Sequence, residues 1–339
     1  MSLPGPVVGV DYPKGWVDFE DWFASDEACV AYLEKLRWPS GFSCPACGVM
    51  ETPGRATRGR LVCRSCRHQA SVTAGTIFDK TRTPLRVWFA AAWYITSQKQ
   101  GVSALGLQRV LGLSSYQTAW AMLHRFRRAM VRPDREMLHG LVEVDEAYLA
   151  LRRGPRTQFK EPLSKRRVHD YSHLVPIAIA VEIQQPKGFG RIRLARIQGP
   201  TKESLLPFVR EHIMPGSQVR TDGSQIYRPL GDEGFIHDRH VLYGSEAPAH
   251  EPLPGVHRVA ALLKRWLLGT HHGAIAPKHV DYYLDEFTFR FNRRKSLSRG
   301  MLFYRLIQQA ALAPPATYAN IRDNQHSAQN SEQVVELSG

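Results

Sequence analysis

Ten consecutive residues, Leu174 to Ile183 (LVPIAIAVEI), carry a single charge, Glu182. A run this short and this apolar suits a strand buried on both faces, and such a strand needs helices on either side of its sheet. That places the chain in the α/β class. Neighbouring segments extend the sheet: Leu141 to Leu149 (LVEVDEAYL) and Arg191 to Ile197 (RIRLARI) read as strands, the second pairing back after a Gln185–Gly190 turn. Thr201 to Ile213 reads as a helix, Val219 to Asp222 as a short β-branched strand, and residues 256–268 as an apolar-periodic helix.

This order of three strands, a helix, a strand and a helix matches an RNase H-like fold, a mixed sheet flanked by helices, over residues 139–312. In that fold the first and fourth strands present acids side by side. Here they are Asp145 and Asp222, 77 positions apart. Two carboxylates on adjacent strand ends can hold divalent cations through oxygen ligands and leave room for a phosphate. A solvated acid beside Glu143 and Glu146 is the plainer reading of Asp145, but acids set among valines need a compensating cation. The helix after Asp222 (VHRVAALLKRWLLGTHHG) carries His257 and Lys264. Seven helical steps of about 100° return them to one face, roughly 10.5 Å apart along the axis. Strand-end carboxylates facing one metal-capable and one cationic side chain point to phosphodiester chemistry.

Cys44, Cys47, Cys63 and Cys66 form C-x2-C-x15-C-x2-C. Thiolates two residues apart reach one tetrahedral ion, and the insert suits a hairpin that joins two such knuckles. The spacing predicts a zinc ribbon over residues 41–80, with structural Zn2+, because four thiolates leave no open position for water. Gly41 and Gly48 permit the tight turns; Cys29 reads as a buried small hydrophobe in a helix. Lys and Arg number 45 against 31 Asp and Glu, a net charge of +14. With no apolar span or basic amphipathic anchor, that excess favours nucleic acid over a membrane surface. Met1 to Gly15 lacks the pattern of a signal peptide, so a cytoplasmic protein is expected.

Residues 1–40 read as a leader and an amphipathic segment, Asp18 to Leu36, with Ser25 as helix cap. Residues 81–135 form a helical region that starts with an aromatic-rich helix at Leu85–Thr96 and continues over 102–131 with the grammar of a helix-turn-helix. Ser103 caps a first helix ending at Gly112, and Ser114 starts a second, with Gln117 placed for a capping box. Ala119, Met122, Leu123, Phe126 and Met130 supply a buried stripe, while Gln117, Arg125, Arg127 and Arg128 face out, as major-groove docking requires. Further phosphate contacts are expected from a basic loop over 152–167 (with Lys165, Arg166 and Arg167) and from Arg293 and Arg294. Phe287, Phe289 and Phe291 between them read as core. Residues 313–339 are polar and read as a disordered tail.

The stretches VEVDEAYL, TDGSQIY, VHRVAALLKRWLLGTHHG and YYLDEFTFRFNRRKSLSRGMLFYRL, with CPACG, CRSCRHQ and LGLSSYQTAW upstream, resemble the ISXO2-like insertion-sequence transposases of the DDE superfamily, over about residues 20 to 312. The resemblance implies a DNA transposase of bacterial, nucleoid-associated type with an RNase H-like core. It implies Mg2+ or Mn2+ for cleavage at element ends and for strand transfer. Double-stranded DNA, as terminal inverted repeats and target, is the implied partner, bound by a homo-oligomer. Asp145 and Asp222 match the first two acids, and Lys264 the basic residue two turns beyond the third; Arg265 beside it is a further phosphate contact. Where the wider superfamily has Glu or Asp at the third position, this chain has His257, 34 residues after Asp222. His257 as metal ligand, as general base or phosphate contact, and as the mark of a degraded site all stay open, with Glu251 and Glu286 as substitute acids. The rival class is a catalytically inactive zinc-ribbon DNA-binding protein, a relic or regulator.

Overall fold

In the computed structural model, residues 5–132, 134–151, 174–184, 186, 188–240 and 253–323 are described. The basic loop with Lys165, Arg166 and Arg167, the acid Glu251 and the chain beyond residue 323 lie outside them. By its internal packing the chain divides into two units, Met1–Pro133 with Lys295–Gly339, and Asp134–Arg294. No described helix is long and apolar enough to cross a membrane.

In the first unit the amphipathic segment is two helices, α1 (Trp16–Trp22) and α2 (Asp26–Arg37), rather than one. The break falls at Ser25, whose hydroxyl accepts from the Ala28 amide at 3.3 Å and so starts a new helix. Three short antiparallel strands follow, β1 (Gly54–Arg55), β2 (Leu61–Val62) and β3 (Gln69–Ala70). The segment from Ser71 to Phe78 is a run of turns. Helix α3 (Leu85–Ser97) buries Trp88, Phe89 and Trp93. Helix α4 (Ala104–Leu111) has Ser103 as its cap and ends on Gly112 in the left-handed region, φ +61°. Helix α5 (Tyr116–Ala129) starts one residue later than expected, because the hydroxyl of Ser115, not Ser114, accepts from the Gln117 amide. The expected stripe Ala119, Met122, Leu123, Phe126 and Met130 is buried.

The second unit is built on a five-stranded mixed sheet ordered β6-β5-β4-β7-β8. Its strands are β4 (Leu141–Ala150), β5 (Leu174–Ile183), β6 (Phe189–Arg196), β7 (Gln218–Asp222) and β8 (Ile236–His240). β4, β5 and β6 pair antiparallel, whereas β7 runs parallel to both β4 and β8. As the apolar run requires, β5 is an interior, buried strand, flanked by β4 and β6. β8 was not foreseen: IHDRH shows no apolar alternation, because it is an edge strand with one neighbour. Helix α6 (Lys202–His212) follows β6 in the chain. Val142, Val144, Ala178, Ala180 and Val219 pack with Leu205 and Val209 of α6 in one core. Helix α7 (Pro254–His271) packs on β4 and β5, and α8 (Val280–Asn292) on β6. The chain then returns to the first unit through α9 (Arg299–Ala310) and α10 (Tyr318–Arg322), where the buried Phe303 ring meets Phe19, Phe23, Phe89 and Trp93.

Candidate functional site

The four predicted cysteines converge. Their sulfurs all lie within 4.8 Å of one another, with Cys44 to Cys66 at 3.6 Å and Cys47 to Cys63 at 3.7 Å. A tetrahedral ion with Zn–S bonds of about 2.3 Å requires sulfur–sulfur edges of about 3.8 Å, whereas a disulfide would need about 2.05 Å. The set therefore fits a structural zinc, and all four thiols are unbridged. The two knuckles share one backbone design. In each, the first cysteine's carbonyl accepts from the residue after the second cysteine, Gly48 to Cys44 at 2.9 Å and Arg67 to Cys63 at 3.0 Å. Gly48 (φ +73°) and Arg67 (φ +65°) both adopt the left-handed conformation that this turn demands, one favourably and one at a cost of about 1 kcal/mol. Sequence reasoning missed Glu51, whose carboxylate accepts from the Ser65 hydroxyl at 3.0 Å and from the Arg64 amide, bracing the second knuckle. Cys29, fully buried, has its thiol pushed up to about 12 by burial, as suits an inert core residue.

The two aspartates are brought together by strand register. β4 and β7 pair in parallel as Leu141 with Gln218, Val142 with Val219 and Glu143 with Arg220. Continued by two residues, that register sets Asp145 beside Asp222, on one face of the sheet by the two-residue alternation. The paired register stops at Glu143 and Arg220, so the strands part just below the two acids. Asp145 thus lies in the middle of β4, not at a strand end as expected; β4 continues beside β5 to Ala150 while β7 ends at Asp222. A crevice where parallel strands diverge is a usual place for ligands in α/β sheets.

Electrostatics mark the same place. Burial, helped by the charges of Glu146 and Asp222, pushes the Asp145 carboxyl up to about 7. Glu146 is also raised, by burial first, against the hydrogen bond that Tyr227 donates to it at 3.0 Å. The charges acting on Asp145 are thus acidic. Backbone contacts fix the second aspartate: Asp222 accepts from the Ser224 amide at 3.0 Å, and Arg239 donates to the next carbonyl, Gly223, at 3.0 Å. Buried, mutually repelling carboxylates in a crevice suit a hard divalent cation, which supplies the missing positive charge.

The helix residues are less converged. His257 is half-buried in α7, and Lys264 and Arg265 are exposed on it. Among the described residues, the four cysteines are the single group of three or more metal-capable side chains with all ligand atoms within 4.8 Å, so Asp145, Asp222 and His257 do not meet that closeness as a trio. Glu286 is no substitute acid here: fully buried, it receives the Arg290 guanidinium at 2.7 Å, one turn away on α8.

Of the arginines expected to face DNA, one is enclosed and others are engaged by local partners. Arg127 is 1% exposed, its guanidinium 3.5 Å from His124 Nδ1, because the buried face of α5 is wider than its apolar stripe. Half-buried Arg125 donates to the Ala316 carbonyl at 2.8 Å and lies over the Trp88 ring. Arg128 is half-buried. Arg293 stacks 4.1 Å from the Phe289 ring, and Arg294 stacks on Phe291 while donating to the carbonyls of Phe189, Gly190 and Phe291. Their local partners are aromatic rings and carbonyls that single-residue charge counting does not register. The phenylalanines they cover, Phe289 and Phe291, are buried as core, as is Phe287.

Comparison with known proteins agrees with this geometry. Residues 24–69 match the transposase zinc-ribbon domain, and residues 137–292 the ISXO2-like transposase domain. The chain is also 24% identical, over 280 residues, to an uncharacterized protein in the transposable element ISH50 of Halobacterium salinarum, covering 79% of this chain and 91% of that protein. A transposase zinc ribbon and an ISXO2-like transposase domain are thus matched in this order along the chain.

Proposed function

We propose that the chain is the DNA transposase of an insertion sequence, cutting phosphodiester bonds at element ends and joining the freed ends to target DNA. The carrying observation is the β4–β7 register, which continued by two residues brings together two acids 77 positions apart, while among the described residues the charges acting on Asp145 are acidic. Asp145 and Asp222 would hold divalent metal, with His257 of α7 as the third ligand. When bound, such ions activate the attacking oxygen and stabilise the leaving one. The protein's own part is to fix the acids by backbone hydrogen bonds, exclude water on the sheet side through Tyr227 and its core, and meet phosphates with Lys264 and Arg265. The zinc ribbon and the α4–α5 pair are assigned to binding double-stranded DNA at the element ends, and a homo-oligomer to pairing two ends.

The test is cleavage of supercoiled plasmid carrying the element ends, with Mg2+ or Mn2+, by wild type and Asp145→Asn. Loss of cleavage with end binding retained supports the reading. Equal cleavage by the two proteins at matched metal rejects it. End binding without cleavage by wild type, under both metals, favours the inactive DNA-binding protein.

A further inference from the structure

Glu143 and Arg220 stand two positions before Asp145 and Asp222 on the same faces of β4 and β7, and Gly255 opens the first turn of α7, two residues before His257. Glu143 and Arg220 are ladder partners across β4 and β7. Glu143 is fully buried, and one of its oxygens, Oε2, accepts from the Gly255 amide at 2.7 Å and the Val256 amide at 3.1 Å. Both amides belong to the first turn of α7, where backbone donors have no partner within the helix. No side chain of α7 supplies a cap: Leu253 holds the cap position and Pro254 follows it. A Cβ on Gly255 would lie 2.8 Å from both Glu143 Oε2 and Ile183 Cδ1, so a side chain there would displace the carboxylate from these amides. Burying a carboxylate is expensive, and Oε1 has no hydrogen-bond partner among the described residues. An apolar residue would pack this sheet position at lower cost, so the acid stands there for its contacts.

We propose that Glu143 is a positioning residue that ties β4 to the start of α7 and thereby sets His257 against Asp145. This rests on the metal-site reading above. One carboxylate oxygen joins two segments 112 residues apart, two residues from a proposed ligand on each. Lacking it, α7 would keep its apolar packing on the sheet but lose the anchor that fixes its first turn along β4. His257 would then lose its place beside the two carboxylates and be lost as a ligand.

The experiment is Mn2+ binding by calorimetry to the full, zinc-loaded chain, comparing wild type, Glu143→Met, Glu143→Gln, His257→Ala and the double variant Glu143→Met/His257→Ala. Removing a supporting contact of this kind is expected to weaken Mn2+ binding about tenfold. Glu143→Gln should recover most of it, since an amide oxygen accepts the same two N–H groups. The double variant should bind no worse than His257→Ala, because both changes remove one ligand. Glu143→Met binding within about twofold of wild type, or losses that multiply in the double variant, would overturn the proposal. Should Glu143→Met fail to fold, hydrogen exchange in wild type decides: slow exchange at the Gly255 and Val256 amides is expected, and fast exchange at both overturns it. Asp145→Asn separates the two levels. Wild type that binds no more Mn2+ than Asp145→Asn ends the metal-site reading and this one together, whereas normal binding unaffected by Glu143 ends this one alone.

Discussion

The cysteine cluster of the ribbon and the acidic crevice of the second unit are built on opposite plans. In the ribbon the four sulfurs already stand near the corners of a zinc tetrahedron, and hydrogen bonds from Gly48 and Arg67 lock each knuckle. In the second unit the strand register brings Asp145 and Asp222 to one crevice, but with His257 they do not form a trio as close as the cysteines. A structural ion needs a closed cage, since its binding energy is folding energy. A hard ion that must also bind phosphate needs open positions, so its carboxylates stay separated and bear the cost of unneutralised charge. That cost is visible in the raised Asp145 and Glu146.

Breaking the cage should have the largest effect. Zinc in a four-thiolate site is worth on the order of 10 kcal/mol of folding free energy to its ribbon. Cys63→Ser, or treatment with a strong chelator, is therefore expected to unfold residues 41–74 and abolish binding to element ends. Exchange protection over Leu141–Asp222 should persist, which mass spectrometry of exchanged peptides reads directly. Loss of protection in both regions would deny that the two centres are independent. Next in size, Asp145→Asn should lower cleavage by about a thousandfold or more, as expected when a group acting directly on the reacting centre is removed. It should leave zinc content and end binding unchanged, both measurable on the same preparation.

The contrast also governs what could be read beforehand. Four cysteines with fixed local spacing announce their site, because each knuckle is closed by residues three apart, whereas the aspartates become a pair through a register set by β4 and β7. The apolar Leu174–Ile183 run and the β-branched strand before Asp222 made that sheet legible. Two residues that brace the crevice were less so. Glu143 was visible as an acid on the inward side of V-E-V-D-E but was read as a neighbour of Asp145, since its partners are backbone amides 112 residues away. Gly255 fell one residue before the helix read over 256–268 and carried no signal of its own. The arginines of α5 failed for a related reason: charge predicts exposure, yet Arg127 is enclosed on a face whose width depends on neighbours in space.

His257 tests how far the open plan can stretch. If the third ligand is recruited when metal and DNA arrive, His257→Ala should reduce cleavage about ten- to a hundredfold, less than Asp145→Asn, and Mn2+ should support the wild type better than Mg2+, as imidazole prefers softer ions. His257→Glu should shift that preference toward Mg2+. Cleavage rates of the three proteins in each metal, from initial-rate plasmid assays, settle the point. An Ala variant as active as wild type in both metals would leave the carboxylates to act without α7.

The smallest expected effect is the most direct reading of the stored charge. In metal-free protein with zinc retained in the ribbon, Asp145 holds its proton up to about pH 7 when folded, against an ordinary carboxyl value of 3.8 when unfolded. Between those limits the folded chain binds more protons than the unfolded one, so stability is greatest below about pH 4 on this account and is lost as pH rises toward 7. Asp145→Asn removes the contribution. Its melting temperature should therefore exceed that of wild type by about 2–5 °C at pH 7.5, and the gap should close as pH falls toward 4. Glu146, raised for the same reason, retains part of the slope in the variant. Adding Mn2+ should reverse the ranking at pH 7.5, because only wild type exchanges its proton for the ion, and apparent Mn2+ affinity should fall about tenfold per pH unit below 7. Scanning fluorimetry of both proteins across pH, with and without Mn2+, gives all three quantities. A wild type whose metal-free stability does not decline between pH 4 and 7, relative to the variant, carries no unneutralised charge at the crevice. The open centre would then differ from the ribbon in ligand type alone.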